Sequence, residues 1–439
     1  MQLSGWGRFP RHEVRLSAPR EMSEIPALLA QGPLIARGMG RAYGDSAVSR
    51  HTLSTRHLNR MIDFDAETGA LVAESGVTLA GIIDAFLPRG WFPMVTPGTR
   101  FVSLGGAIAA DVHGKNHHGE GSFGTCLDWI DLMGADGIVQ RCSRTENPEM
   151  FHWTLGGMGL TGVILRARIR LRRVESGWIR QTMRPARSLT EAIEAFDQTA
   201  SATYSVAWID GVARGEAMGR SLVMSGEHAA RAELPSSRRA APFAIAHKRA
   251  RRVPFTLPGF VLNPLTVRLF NTLYFNNGLR QPTTGLVDWA SYFYPLDAVA
   301  DWNRIYGPKG FLQFQVVLPM ESHAEGLRRV LEAVSRSGTA SFLAVLKRFG
   351  AQDSRLSFPM EGFTLALDFP INSRSLALMS LLDRITVDHG GRFYLAKDSR
   401  ITADTLRRTD PRWADFARMR RESGLNRHFL SAQSERLDL

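Results

Sequence analysis

The sequence predicts an α+β chain of about two domains, and three observations carry that prediction. Its 439 residues, 44% of them hydrophobic, exceed what a single core usually supports. Short strand and helix signals are mixed through the first third of the chain. Glycine-rich loops recur up to Gly162, and the character changes at about Val174, which places a domain boundary near residue 175.

Taken in order, the run Leu34 to Arg37 is apolar and strand-like, and Gly38 to Asp45 is a glycine loop. A hairpin is expected around Glu67-Thr68-Gly69, with Leu71 to Val77 as its second strand. From Thr78 to Leu87 the apolar residues fall at helical spacing, with Thr78 as N-cap, and Pro88 to Gly90 ends the helix. Val163 to Leu171 alternates apolar and charged residues as a half-buried strand does. Beyond the boundary, strand signals lie at Phe311 to Pro319, Thr339 to Phe349 and Phe363 to Asp368. Residues 226 to 285 differ from their surroundings. They hold Arg238-Arg239, then His247-Lys248-Arg249-Ala250-Arg251-Arg252, then an apolar and aromatic stretch from Val253 to Phe275 interrupted by Pro254, Pro258 and Pro264. That composition predicts irregular, mobile structure.

Composition narrows the function classes. The first twenty residues carry charge and Pro10, and no stretch of about 18 apolar residues occurs, so neither a signal peptide nor a transmembrane helix is expected. The expected location is cytoplasmic or at a membrane surface. Two cysteines, Cys126 and Cys142, are too few for a disulfide framework and have no ligand cluster around them, so no metal is expected. A net charge of +12 points to an anionic partner, whether nucleic acid, a phosphorylated substrate or an acidic membrane face.

The loop Gly38-Met39-Gly40-Arg41-Ala42-Tyr43-Gly44-Asp45 follows a strand and opens on Gly-x-Gly, yet Tyr43 stands where a Rossmann fingerprint needs its third glycine. Successive glycines still let main-chain N–H groups converge on a diphosphate, although a plain structural turn has the same composition. Two further small-residue cradles follow: Thr96-Pro97-Gly98-Thr99 with Ser103-Leu104-Gly105-Gly106-Ala107-Ile108-Ala109, and Gly156 to Val163. Three cradles before one boundary imply a long, phosphate-bearing cofactor laid against backbone.

In this order the cradles resemble the FAD domain of the vanillyl-alcohol-oxidase/PCMH superfamily. Over essentially the whole chain the resemblance narrows to the flavoprotein subunits of decaprenylphosphoryl-β-D-ribose 2-epimerase. It rests on Gly5-Trp6-Gly7-Arg8, the loop Arg37 to Asp45, Asp111-Val112-His113-Gly114-Lys115-Asn116-His117-His118, Gly310-Phe311-Leu312-Gln313-Phe314-Gln315, and Tyr394-Leu395-Ala396-Lys397-Asp398-Ser399-Arg400. It implies a PCMH-type FAD-binding domain over residues 1–175 and a substrate domain built on an antiparallel sheet over 176–390. A C-terminal return to the FAD domain over 391–439 is implied as well. Arg41 occupies the place where many superfamily members carry the histidine that tethers flavin, which implies non-covalent FAD.

By the same match FAD contacts are expected first from Arg37, Gly38, Gly40, Arg41, Ala42, Tyr43, Gly44 and Asp45. A second group is Thr96, Pro97, Gly98, Thr99, Gly105, Gly106 and Ala109, and a third is Gly114, Gly162, Val163, Tyr394, Ala396 and Lys397. The expected substrate wall comprises His113, Lys115, Phe293, Gln313, Gln315, Lys347, Phe349, Thr364, Ala366 and Lys397. Residue pattern alone makes Gln313 with Gln315, and Lys347 with Phe349, neighbours on one strand face, and leaves a solvated face equally open. His113 and Lys397 are the two candidate bases, unranked. Ala366, Thr364 and Phe293 stand where mycobacterial members have cysteine, asparagine and tyrosine, so inhibitors that trap the cysteine are expected to find no nucleophile.

The activity implied is FAD-dependent oxidation of the 2-hydroxyl of a polyprenyl-phosphoryl-β-D-ribose to the 2-keto sugar. A short-chain reductase would then complete a 2-epimerisation, and a quinone or oxygen would reoxidise the flavin. The 226–285 segment implies a peripheral membrane contact. The competing expectations are an alditol or aldonolactone oxidase acting on a free sugar, and a basic nucleic-acid-binding module. No recognition motif supports the latter, so no nucleic acid partner is expected.

Overall fold

The computed structural model describes residues 1–245, 251–256, 263–339, 341 and 343–439. Its first layer is a small parallel sheet in which His51–Ser54 lies between Arg15–Ser17 and Ile35–Arg37. Beside it runs an antiparallel sheet in the order Val139–Ser143, Leu127–Met133, Val163–Arg173, Ala70–Glu74, Met61–Asp65, with Trp91–Pro93 on the far end of Val163–Arg173. Along Val163–Arg173 the period is two: Ala167, Ile169 and Leu171 are buried, while Arg166 and Arg170 reach Asp131 and Asp128 at 2.7 and 3.2 Å. The helix Leu79–Phe86 starts where the Thr78 hydroxyl accepts from the Gly81 N–H at 3.1 Å. It buries Leu79, Ile82, Ile83 and Phe86, the i, i+3, i+4, i+7 face.

The second layer is an eight-stranded antiparallel sheet in the order Thr284–Asp288, Trp178–Ala186, Ser221–His228, Tyr204–Ile209, Ala344–Phe349, Gly362–Pro370, Phe311–Pro319, Arg392–Phe393. One face, with Leu312, Phe314, Val316, Leu346, Leu365 and Leu367, packs under the helices His323–Ser337 and Ser373–Asp388. Because side chains alternate, the other face carries Gln313 and Gln315 opposite Asp368 and Ala366, and Lys347 opposite Thr364. An apolar core on one side of the sheet therefore forces these polar groups together on the other. The strand expected from Thr339 starts at Ala344.

The described residues within 226–285 are more ordered than expected. Pro264–Arg280 is a helix, not an irregular stretch: Pro264 takes the first helical position, where it removes an N–H that has no partner in any case. The Asn263 side chain accepts from the N–H groups of Leu265 and Thr266 at 2.9 and 3.1 Å. The helix buries Val267, Asn271, Phe275 and Gly278. The basic residues His247 to Arg249, and Pro258, lie outside the described residues.

The last residues double back. Leu34 donates to His428 at 2.8 Å, Leu430 donates to Leu34 at 3.1 Å, and Arg436 pairs with Asp45 at 2.9 Å. Among the described residues no helix is long and apolar enough to cross a membrane.

Candidate active site

A cavity of about 790 Å³ is lined from one side by the glycine loops and from the other by the polar face of the eight-stranded sheet. The first wall is Gly38 to Tyr43, Thr96 to Thr99, Gly105, Gly106, Ala109 and Gly162. The second is Gln313, Gln315, Lys347, Thr364 and Ala366, and the C-terminal segment adds Tyr394, Ala396 and Lys397.

The loop at 38–43 is fixed by its neighbours. Trp6 donates to Ala42 at 2.8 Å, Gly7 to Tyr43 at 3.0 Å, and Tyr43 to Ala396 at 2.9 Å. Gly40 has φ +63°, and a Cβ there would come within 2.3 Å of the Arg37 guanidinium. Among the described residues the main-chain N–H groups of residues 38 to 42 donate to no other backbone group. Unpaired amides along a cavity wall are the donor set a diphosphate needs. At Gly98 an added Cβ would meet nothing within 4 Å, so the backbone there is bare to the cavity it lines. Buried polar atoms of Ser75, Arg41 and His113, all in the lining, also have no partner among the described residues. The volume, the amides and these orphaned atoms fit FAD.

Several expected contacts stand behind the wall instead of in it. Arg37 binds the carbonyls of Ser4 and Ala47 at 2.7 and 3.2 Å and holds the loop from outside. Asp45 is taken by Arg436, and a Cβ at Gly44 would strike the Asp398 carbonyl at 2.0 Å. Gly114 sits against Thr96 and Asn116, and Val163 is core. Phe349 packs on the rings of His113 and His117 at 4.7 and 4.5 Å and does not line the cavity. The remaining expected residues, including Lys115 and Phe293, do line it.

His113 is set by the turn that follows the short helix Leu104–Ala109. Asp111, at φ +36°, anchors that turn by accepting from the Gly124 N–H at 2.8 Å and from the hydroxyls of Ser122 and Ser357. The His113 Nε2 lies 3.2 Å from the Gln315 amide nitrogen. Burial, with Lys347 and His117 adding to it, depresses the His113 pKa well below the usual imidazole value, so the ring is neutral. His117 contacts Gln352 at 2.8 Å and His118 the Ala202 carbonyl at 2.7 Å, which ties both into the frame.

Three lysines share the cavity. Burial lowers Lys115 to about 7 and Lys347 to about 8, and also lowers Lys397. Lys115 donates to the Tyr292 carbonyl and lies 4.2 Å from the Tyr292 ring centroid. Lys397 stands 3.7 Å over the Tyr43 ring. Its opposing charge is Asp368, fully buried, which accepts from the Gln313 amide and from the Tyr306 hydroxyl at 3.5 Å. Burial raises the Asp368 carboxyl above its ordinary value. Sequence reasoning had Asp368 as the end of a strand and Gln313 as a substrate contact. The signal was present in its period-two phase with Thr364 and Ala366.

Comparison with known proteins agrees with this geometry. Residues 11–143 match the FAD binding domain family. A decaprenylphosphoryl-β-D-ribose oxidase of Mycolicibacterium smegmatis is 34% identical over 100% of this chain and 97% of its own length. The chain belongs to the decaprenylphosphoryl-β-D-ribose oxidase family. An uncharacterized protein of Streptomyces coelicolor is 32% identical over 83% of this chain and 100% of its own length. Cytokinin dehydrogenase 5 of Arabidopsis thaliana is 28% identical over 32% of this chain and 27% of its own length. As an oxidase-family member the protein is an FAD-dependent oxidoreductase with a PCMH-type α+β fold, and FAD is its cofactor.

Proposed function

We propose that the protein oxidises the 2-hydroxyl of a polyprenyl-phosphoryl-β-D-ribose to the 2-keto sugar, the first half of a 2-epimerisation. The observation that carries this is the charge of the chamber beside the FAD cradles. Lys115, Lys347 and Lys397 line it, and of the three only Lys397 has Asp368 as an opposing charge among the described residues. Buried cations in excess call for an anion, and a phosphate supplies one. Gln315 and Thr364, with a contact of 3.4 Å between their side chains, are suited to sugar hydroxyls.

FAD when bound supplies the two-electron acceptor for the carbinol hydride. With the Gln315 amide turned so that its oxygen accepts from the His113 Nε2–H, the neutral imidazole keeps its lone pair on Nδ1, and there it takes the hydroxyl proton as that hydride leaves. Lys397, kept toward its cationic form by Asp368, offers positive charge where the reduced cofactor gains electrons. Arg41 stands where the resembled superfamily often carries the tethering histidine, and this reading therefore has FAD held without a covalent bond. Residues 1–175 are assigned to cofactor, 176–390 to substrate, and 391–439 to closing the cofactor site. A short-chain reductase would reduce the keto sugar, and a quinone or oxygen would reoxidise the cofactor.

A membrane-surface location is supported by the helix Pro264–Arg280, whose Leu265, Leu269 and Leu273 are 76%, 60% and 61% exposed and which also carries Arg268 and Arg280. Co-sedimentation with anionic vesicles checks that placement. The activity itself is tested by incubating the protein with prenyl-phosphoryl ribose and seeking by mass spectrometry a product two mass units lighter that borodeuteride reduction labels at C2. A free alditol or aldonolactone oxidised in preference to every ribosyl phosphate would overturn the assignment.

A further inference from the structure

The cavity does not end at its polar chamber. On the eight-stranded sheet Val206 pairs with Met224, and Trp208 with Val345, so these four side chains lie on the cavity face, beyond Lys347 and Ala366. All four line the cavity, together with Leu343 and two residues of the helix Pro264–Arg280, Phe270 and Tyr274. The side chains named in this arm are all apolar or aromatic, whereas the chamber it leaves has three lysines. Trp208 and Tyr274 stand with ring centroids 4.9 Å apart, and Phe270 stacks on Tyr274 at 5.8 Å.

The helix that closes the arm has two different sides. Its inner side is anchored: Asn271 donates to Asp210 at 2.7 Å, Thr272 accepts from Arg220 at 3.2 Å, and Val267 is buried with Val212. Gly278 lets it lie on the sheet, because a Cβ there would meet the Leu222 side chain at 2.5 Å. Its outer side presents Leu265, Leu269 and Leu273, each more than half exposed and spaced four residues apart. Phe270 and Tyr274, 41% and 39% exposed, belong both to the arm and to that outer surface. An apolar track therefore runs without a break from the lysine chamber to the outside of the protein. A soluble sugar has no use for such a track, and a row of exposed leucines costs solubility.

Building on the functional reading above, we propose that the prenyl chain of the substrate runs from the lysine chamber through the Val206, Trp208, Met224, Val345 arm and out over Phe270 and Tyr274. The phosphate marks the junction, held at the cationic end of the track. Prenyl units inside the arm are removed from water and contribute to binding in proportion to the apolar area they bury. Units beyond Tyr274 lie on the outer leucines or in lipid. Chain length thus acts on binding up to the number of units the arm holds, and the sugar chemistry is indifferent to it.

The test uses the FAD-loaded enzyme with two substrates that share the ribosyl phosphate, one bearing a farnesyl chain and the other a methyl group. The wild-type enzyme is expected to oxidise both at similar kcat, with the farnesyl substrate at least tenfold lower in KM. The double substitution F270S and Y274S, at positions already partly exposed, is expected to raise the farnesyl KM about tenfold and leave the methyl KM unchanged. Farnesyl phosphate is expected to inhibit wild type competitively where inorganic phosphate at the same concentration does not, a measurement that needs no variant. Equal KM for both substrates in wild type, or equal inhibition by the two phosphates, overturns the proposed path. Turnover of the methyl compound keeps the functional reading intact in that event, whereas failure to oxidise either compound overturns the functional reading itself.

Discussion

Replacing Asp368 with asparagine separates the catalytic role of the buried carboxylate from its role in folding. Asparagine keeps the shape: its Oδ1 accepts from the Gln313 amide and its NH2 donates to the Tyr306 hydroxyl oxygen, so both partners of the side chain are kept with one bond reversed. What is lost is the charge opposing Lys397. Asp368 acts on Lys397 as an opposite charge through space, which favours the ammonium by roughly 1.4–4 kcal/mol. Losing that increment at Lys397 favours its neutral form, and each ~1.4 kcal/mol moves the protonation equilibrium tenfold. If the ammonium stabilises the transition state, kcat/KM falls by about 10- to 100-fold. Stability moves little, because Asp368 is itself held at a raised pKa by burial and its charge is a cost to the fold. The assay is steady-state oxidation across pH 6 to 9 with the melting temperature and flavin reduction potential measured on the same samples. A D368N enzyme with wild-type kcat/KM and an unmoved potential would refute the role given to this carboxylate.

Four further outcomes are expected. Lys115 and Lys347, lowered to about 7 and 8, carry charge only below those values, so KM for a phosphate-bearing substrate rises as pH passes from 7 to 9. The stability sign follows the same values: between them and the ordinary 10.5 the folded state binds fewer protons than the unfolded, so stability rises with pH over that window, and K347M flattens the slope in a thermal melt series. Gly40→Ala places a Cβ against Arg37 at a positive φ, and is expected to purify with little FAD while retaining its circular dichroism spectrum; full FAD occupancy would contradict the cradle. Ala366→Cys puts a thiol in the cavity wall, where a maleimide should label it and substrate should protect it. The native Cys126 and Cys142 are buried with raised pKa values, so the wild type is expected to remain unlabelled.

What the sequence made legible was local. The Gly38 loop, the Thr78 cap and the strand Phe311–Pro319 each announce themselves within a few residues, through glycine spacing, a capping hydroxyl or alternation. Asp368 did not, because its role depends on antiparallel register that places Gln313 opposite it, and on Tyr306 and Lys397 arriving from distant segments. Arg37 and Asp45 look like ligand contacts by position in a glycine loop, yet the chain supplies their partners from Ser4 and Arg436, far off in sequence. The helix Pro264–Arg280 was obscured for another reason. Apolar residues on both its anchored and its outer sides erase the single-face period, and Pro264, which marks its start, reads as one more breaker among three prolines.

The central claim is that a ribosyl phosphate on a prenyl chain reduces the FAD of this protein. Anaerobic addition of farnesyl-phosphoryl ribose to the yellow enzyme tests it most directly. The account predicts that the visible flavin absorbance bleaches within one turnover, and that H113N, with FAD still bound, bleaches at least tenfold more slowly. A flavin that stays oxidised with every prenyl-phosphoryl pentose, but bleaches with a free alditol, would contradict it.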